Sequence, residues 1–247
     1  MRLSLTLPLA FLLLLALHLT VASGQLVKVE GHALDFVGPA IVGAKIRVLE
    51  QPGLVVESDH TGYFQFQSSV GSEITLVLNH PLYRETQGPT VTVPASGLVG
   101  VEHEMVLQVP NSPTYQFLKA ILPAQVDDEH LCQLVVTVTA PGKTIYDDPQ
   151  GEANSTCTLS PSRSSPSHPY YFGMFKNGAT NPFTRGLNST SQDGGVVFFN
   201  VPVGNYTITA QKEGVVWQHD SSYLRCIEGS PRLVNAAPTW GPRALSD

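Results

Sequence analysis

The sequence predicts an all-β protein made of two tandem β-sandwich domains joined by a short helical linker. The 247 residues include 21 Gly and 19 Pro but only 14% charged residues, a composition that favours short strands and tight turns. Apolar residues also recur with period two over short stretches, as in Ala44, Ile46 and Val48. A segment near residues 111–130 interrupts this rhythm and separates two strand-rich parts of the chain.

The N-terminus has the pattern of a secretory signal peptide over residues 1–24. Arg2 precedes an apolar run, 7–17, and the small residues 21–24 follow it. The run is shorter than the roughly 20 residues of a membrane span, and no second run of this kind occurs. We therefore expect a secreted, extracellular protein with no membrane partner, and an uncleaved anchor is the alternative.

The first domain is predicted over residues 25–110. Period-two segments separated by Gly, Pro, Asn or Asp suggest seven short strands, a number typical of a sandwich. These segments are 26–31, 44–48, 54–57, 63–67, 74–78, 90–93 and 101–109.

The linker is predicted over residues 111–130 and contains one short helix. The tripeptide Asn111-Ser112-Pro113 is placed as an N-cap and first-turn proline, and Pro123 ends the helix. An acidic group, 127–129, then leads into the second domain.

The second domain is predicted over residues 131–247. Its strand candidates are 134–139, 170–175, 196–200, 206–211, 215–218 and 223–227. The Ser- and Pro-rich stretch 160–168 has no apolar residue to bury, so we expect a mobile loop there, with or without O-linked sugar.

A weak internal repeat links the two domains. The segment 59–66 resembles 193–199 at an offset of 134 residues, and each begins with an Asp and a Gly before an alternating strand. An Asp side chain that accepts backbone N–H bonds and a Gly with unusual dihedrals are typical of a turn into a hairpin. The repeat predicts two sandwiches of one type.

These residues resemble the carboxypeptidase regulatory-like domains, which are small Ig-like or transthyretin-like sandwiches. Segments 39–48 and 59–66 are similar to the opening strand and central hairpin of that family, and 193–199 with 201–208 is similar to its closing pattern. The resemblance covers most of the mature chain and implies a fold more than a function.

The cysteine pairing is suggested by a second resemblance. Segments 226–229 and 234–241 are similar to the tail of secreted bacterial proteins with such domains, in which two cysteines resemble Cys132 and Cys226. That resemblance implies a Cys132–Cys226 disulfide, although three cysteines allow three single pairings. Cys157 is left over, either buried and inert or available as an interchain thiol.

Three sequons predict N-linked glycans covalently attached at Asn154, Asn188 and Asn205.

The net charge of −6 and the lack of Lys and Arg clusters argue against nucleic-acid and polybasic membrane partners. No hydrolase, zinc-protease or phosphate-binding motif occurs, so we expect no enzymatic activity and no cofactor. The acidic and histidine groups 102–104 and 127–130 lack metal-ligand spacing, and we interpret them as a strand surface and a solvated linker.

The function predicted from these features is that of a non-enzymatic secreted glycoprotein that acts as an extracellular structural or matrix subunit. It would self-associate into oligomers or filaments by strand addition, with Leu26, Val27 and Val29 in a donated strand. The alternative is an extracellular module that binds carbohydrate or protein. Its candidate surface residues are Tyr170, Tyr171, Phe172, Trp217 and Trp240.

Overall fold

A computed structural model describes residues 24–122, 124–162 and 168–245. Nearly all of the predicted signal peptide, Pro123 and the centre of the predicted 160–168 loop lie outside the described residues. Within them the chain is almost entirely β-structure with a single α-helix. This confirms the predicted fold class, two β-sandwiches with a short helix between them.

The first sandwich contains seven strands and is followed by the helix. The strands are β1 (Leu26–Asp35), β2 (Lys45–Val48), β3 (Gln51–Glu57), β4 (Tyr63–Ser69), β5 (Glu73–Asn79), β6 (Thr86–Thr92) and β7 (Met105–Val109), and the helix is α1 (Ser112–Ile121). Sheet β4-β1-β7 packs on the strands β6-β5-β2-β3. In β4 the alternation buries Phe64 and Phe66 in the core while Gln65 faces solvent.

The second sandwich follows the helix. Its strands and the short hairpins attached to it are β8 (Cys132–Thr137), β9 (Thr156–Ser160), β10 (Tyr170–Tyr171), β11 (Gly173–Met174), β12 (Thr180–Asn181), β13 (Gly195–Val201), β14 (Gly204–Gln211), β15 (Trp217–His219), β16 (Ser221–Cys226), β17 (Leu233–Ala236) and β18 (Arg243–Ala244). Sheet β16-β14-β9 packs on β10-β13-β8-β17.

The two sandwiches share one topology, which confirms the internal repeat. In the first, β1 is antiparallel to β4 and parallel to β7, and in the second β8 has the same relation to β13 and β17. The turn glycines are equivalent as well, because the Gly62 carbonyl accepts from Ala33 N at 2.8 Å and the Gly194 carbonyl accepts from Val138 N at 2.9 Å.

The sandwiches are joined through a single sheet. Strand β17 pairs in parallel with β8 on one side and with β6 on the other, which gives an eight-stranded order β10-β13-β8-β17-β6-β5-β2-β3. Trp240, from the second half, packs against the first core and its Nε1 donates to the Glu104 carbonyl at 2.9 Å. Because the two halves share this sheet, the predicted division of the chain into two domains and a linker remains a proposal. Its boundaries are 25–110, 111–130 and 131–247.

The disulfide implied by the family resemblance is present. Cys132 on β8 and Cys226 on β16 are bonded, with Cα atoms 5.9 Å apart, and both lie in the core of the second sandwich. The bond connects the two facing sheets of that sandwich.

The predicted helix and its N-cap are confirmed. The Asn111 side chain accepts a hydrogen bond from Thr114 N at 2.9 Å, and Pro113 lies in the first turn, where its missing N–H costs nothing. The guanidinium of Arg84 lies 4.9 Å from the ring centroid of Tyr115, the buried residue of the helix. No helix in the described ranges is both long enough and apolar enough to cross a membrane.

The N-terminal strand is part of the chain's own first sandwich and not a free segment. Leu26 and Val27 pair with β4, and Val29, fully buried, also forms a parallel bridge with Leu98. Donation of Leu26, Val27 and Val29 to a neighbour would remove the central strand from a sheet, so this expectation does not match the structure.

The acidic group 102–104 is not a strand surface. It forms a turn before β7, and Glu104 is buried, with its carboxylate 2.7 Å from His32 Nδ1 and 3.4 Å from the Tyr146 hydroxyl. The sequence interpretation failed because it extended the strand four residues too early.

Candidate functional site

A cleft of about 490 Å³ lies on the outer face of the shared sheet. Alternation along β8 directs Leu134 and Val136 into the second core, so Val135 and Thr137 point to the opposite face. The cleft is bordered by the β1–β2 loop, α1 and the loops 145–150 and 175–183.

Part of the cleft wall is apolar and aromatic. Phe36 and Phe172 lie along it, and three phenylalanines remain half exposed at its margin, Phe117 at 49%, Phe175 at 42% and Phe183 at 53%. The rings of Phe117 and Phe183 meet edge to face with centroids 6.0 Å apart. A cluster of exposed apolar side chains around a concavity is typical of a binding surface.

A buried amide lines the cleft. Asn235 on β17 pairs in register with Val135 and is 8% exposed. Its Nδ2 donates to the Gln108 carbonyl at 2.9 Å, whereas its buried Oδ1 has no hydrogen-bond partner among the residues that the structure describes. Buried polar atoms are nearly always paired in native proteins, so this oxygen is an available acceptor.

Asp193 is the principal carboxylate of the cleft. Its Oδ1 accepts from Gly195 N at 3.0 Å, and its other oxygen accepts from the Thr180 hydroxyl. Burial raises the pKa of Asp193, the hydrogen bonds from Thr180 and Gly195 oppose that effect, and the negative charge of Asp148 adds to it. The site therefore holds a partly desolvated carboxylate near a second acidic group.

The neighbouring Asp147 is a turn residue. Its Oδ2 accepts from the backbone N–H of Thr144 at 2.8 Å and from the Thr144 hydroxyl at 2.9 Å, and these bonds lower the pKa of Asp147. The described residues contain no group of three or more His, Cys, Asp or Glu side chains that could hold a metal ion.

The three sequon asparagines are exposed. Asn154 lies in a turn before β9, Asn188 in the loop before β13, and Asn205 on β14. Glycan attachment at Asn154, Asn188 and Asn205 stays a prediction.

Cys157 is a free cysteine on β9 and is buried, with 5% exposure. Burial raises the pKa of its thiol to about 12, and the thiolate is the form that reacts. The surroundings favour the inert alternative, and an interchain bond through Cys157 would require β9 to move.

Phe172 is the only one of the five aromatic residues singled out from the sequence that lines this cleft. Tyr171 and Trp217 pack in or against the second core, and Trp240 packs against the first. Tyr170 is half-buried, and its hydroxyl donates to the Pro182 carbonyl at 2.8 Å.

Sequence reasoning missed Phe36, Phe117, Phe183 and Asn235 as site residues. They come from distant segments that only the shared sheet brings together. The one signal available was the polar Asn235 within an apolar stretch, Val234 to Ala237.

Comparisons with known proteins show no family. No protein-family model matches the chain, and no curated protein matches it. The resemblance to carboxypeptidase regulatory-like domains therefore stays a hypothesis.

Some solved structures are distantly similar. The Bacillus anthracis TIE protein is 12% identical with a TM-score of 0.29, over 89% of this chain and 34% of that one. A streptococcal ancillary pilin is 11% identical with a TM-score of 0.27, over 91% of this chain and 64% of that one. The shaft pilin SpaA from Lactobacillus rhamnosus GG, as a point mutant, is 7% identical with a TM-score of 0.27, over 90% and 100%. The chain thus spans about a third of the length of the TIE protein and about two thirds of the length of the ancillary pilin. Likeness at this level supports no assignment of function.

Proposed function

We propose that the protein is a secreted, non-enzymatic glycoprotein that acts as an extracellular structural subunit and assembles through an open sheet edge. The observation that carries this proposal is the position of β3 at the end of the eight-stranded sheet. In the described part of the chain β3 pairs with β2 and with no other strand. A seven-residue edge strand presents unpaired backbone N–H and C=O groups to any neighbouring strand.

The side chains of β3 also favour association. Val55, at its centre, is 54% exposed, and Leu54 and Val56 beside it are only partly buried. Natural edge strands are usually protected by charges or prolines, and here Pro52 and Glu57 stand near the two ends of the strand. The apolar centre of β3 is left uncharged.

Two other edges are better protected. In the second sandwich, β9 also ends a sheet, but the N–H of Cys157 donates to the Tyr171 hydroxyl at 2.9 Å. In the first, β4 ends a sheet with polar Gln65 and Gln67 exposed. The contrast supports β3 as the assembly edge.

Pairing at β3 has two possible geometries. Two β3 strands related by a twofold axis would form a closed dimer with one sheet running through both copies. Pairing of β3 with a different edge of the next copy would be head-to-tail, and it would give a filament unless the rotation between copies closes a ring. Either geometry is self-association by strand addition without a donated N-terminus.

The experiment is size-exclusion chromatography with light scattering on the natively secreted protein and on Val55→Lys. A charge at the centre of an edge strand opposes pairing, so Val55→Lys should shift the mass to the monomer. Val42→Lys is the matched control, because Val42 is also 54% exposed but lies in a turn outside the sheet edge. Equal masses for Val55→Lys and wild type would contradict assembly through β3.

The second candidate is an extracellular binding module, which the aromatic cleft favours. Carbohydrate and protein were the ligands expected from sequence. A glycan array tests the carbohydrate class, and a pull-down from the secreted medium tests the protein class. If neither assay shows saturable binding, both ligand classes are excluded.

A further inference from the structure

The cleft has polar groups that are arranged to accept hydrogen bonds. Asn235 uses its amide N–H₂ to donate to Gln108, and Gln108 donates through Nε2 to the Phe36 carbonyl at 3.2 Å. The Asn235 oxygen that remains is buried and has no partner within the described ranges. A ligand that donates a hydrogen bond to this oxygen would satisfy it, whereas an apolar ligand would leave it unpaired.

The charge of the cleft is negative. Asp147, Asp148 and Asp193 line it, and no Lys, Arg or His does so among the residues that the structure describes. Lys143 lies 3.6 Å from Asp147, but no ion pair involves Asp148 or Asp193 in the described ranges. A buried or partly buried carboxylate without a cationic partner favours a cation from outside.

A bare metal ion does not fit this arrangement. The carboxylates are not grouped closely enough to hold one, since no set of three acidic or other ligand side chains meets that condition within the described chain. The phenylalanine walls also offer no oxygen ligands. Faces of aromatic rings attract organic cations, whose charge is diffuse and whose body is apolar.

The size of the cleft suits a small molecule or one side chain. Its volume of about 490 Å³ lies within the range of ligand pockets.

We infer that the cleft binds an organic ammonium group carried on an apolar body, with Asn235 Oδ1 and the Asp193 carboxylate accepting its N–H bonds against the phenylalanine walls. The ammonium group belongs either to a free amine or to a lysine side chain of a peptide. This inference goes beyond assembly through β3 and does not depend on it.

The test is calorimetric titration of the folded, secreted protein with three matched probes. These are phenethylamine, its neutral counterpart phenethyl alcohol and the anionic phenylpropionate. A second pair distinguishes the source of the amine, namely a capped Phe-Lys dipeptide and the same dipeptide with norleucine in place of lysine. Saturable binding of phenethylamine, of the lysine dipeptide or of both supports the inference.

Variants locate the site. Asp193→Asn and Asn235→Leu should each weaken binding of the amine by about 10- to 100-fold, the range for a hydrogen bond to a charged group. Asp59→Asn is the matched control, because Asp59 occupies the equivalent turn of the first sandwich, where its Oδ1 accepts from Thr61 N at 2.7 Å, and lines no part of the cleft. Circular dichroism shows whether each variant folds. If Asn235→Leu does not fold, Asp148→Asn takes its place, because Asp148 is exposed.

Several results would overturn the inference. They are equal affinity for phenethylamine and phenethyl alcohol, no saturable heat with either amine at millimolar concentration, or equal weakening by Asp59→Asn and Asp193→Asn. Binding of an oligosaccharide that phenethylamine does not displace would assign the cleft to another class of ligand. Val55→Lys should leave amine binding unchanged, so failure of the assembly proposal and failure of this one are separable.

Discussion

The repeated turn provides a stringent test of the fold. Gly62 and Gly194 have φ of +80° and +79°, and a Cβ on either would lie 2.5 Å from a backbone oxygen, that of Ala33 or Val138. Replacement by Ala costs about 1 to 2 kcal/mol for the left-handed backbone. The clash and the weakened hydrogen bond to the neighbouring strand add about 2 to 4 kcal/mol.

Gly71 separates these two contributions. Its φ is also +79°, but a Cβ there would meet nothing within 4 Å. Urea unfolding followed by circular dichroism should show that Gly62→Ala and Gly194→Ala each lose about 2 to 4 kcal/mol more than Gly71→Ala. Equal losses of unfolding free energy at all three positions would refute the close approach of each turn to its neighbouring strand. The equivalence of the two sandwiches is argued from that approach.

Three further predictions concern the second sandwich. Replacing Cys132 and Cys226 by Ala opens a loop of 94 residues and should lower the free energy of unfolding by about 4 to 5 kcal/mol in chemical denaturation. Cys157, whose thiol pKa is raised to about 12 by burial, should resist iodoacetamide at neutral pH until the protein unfolds, as mass spectrometry would show. Burial raises the pKa of Asp193 above 3.8, so its contribution to stability is present below about pH 3.8 and is lost as pH rises through the raised value. Relative to wild type, Asp193→Asn should therefore gain stability as the pH rises above about 3.8, measured by urea unfolding at each pH.

Local patterns were sufficient to predict much of the fold. Alternation predicted most strands of the first sandwich, and Asn111 with Pro113 predicted the start of the helix. The turn pattern at Asp59 and Asp193 predicted two sandwiches of one type, because a turn and the strand that follows it are encoded within a few residues.

Long-range pairing could not be predicted in the same way. Strand β17 is only four residues long, and its position between β8 and β6 depends on contacts from across the chain. The free N-terminal strand was expected because the segment 25–30 alternates, but alternation does not show which edge a strand occupies. The same limit applies to the cleft, since Phe36, Asn235 and the 175–183 loop meet only after the shared sheet forms.

The central claim is that the protein assembles outside the cell through the β3 edge. The most direct measurement is light scattering over a concentration series of the natively secreted protein, with and without reductant, followed by negative-stain microscopy. We predict a mass above the monomer that rises with concentration, persists in reductant and is lost in Val55→Lys but not in Val42→Lys. A monomer at every concentration would contradict the claim and leave the cleft as the functional feature of the molecule.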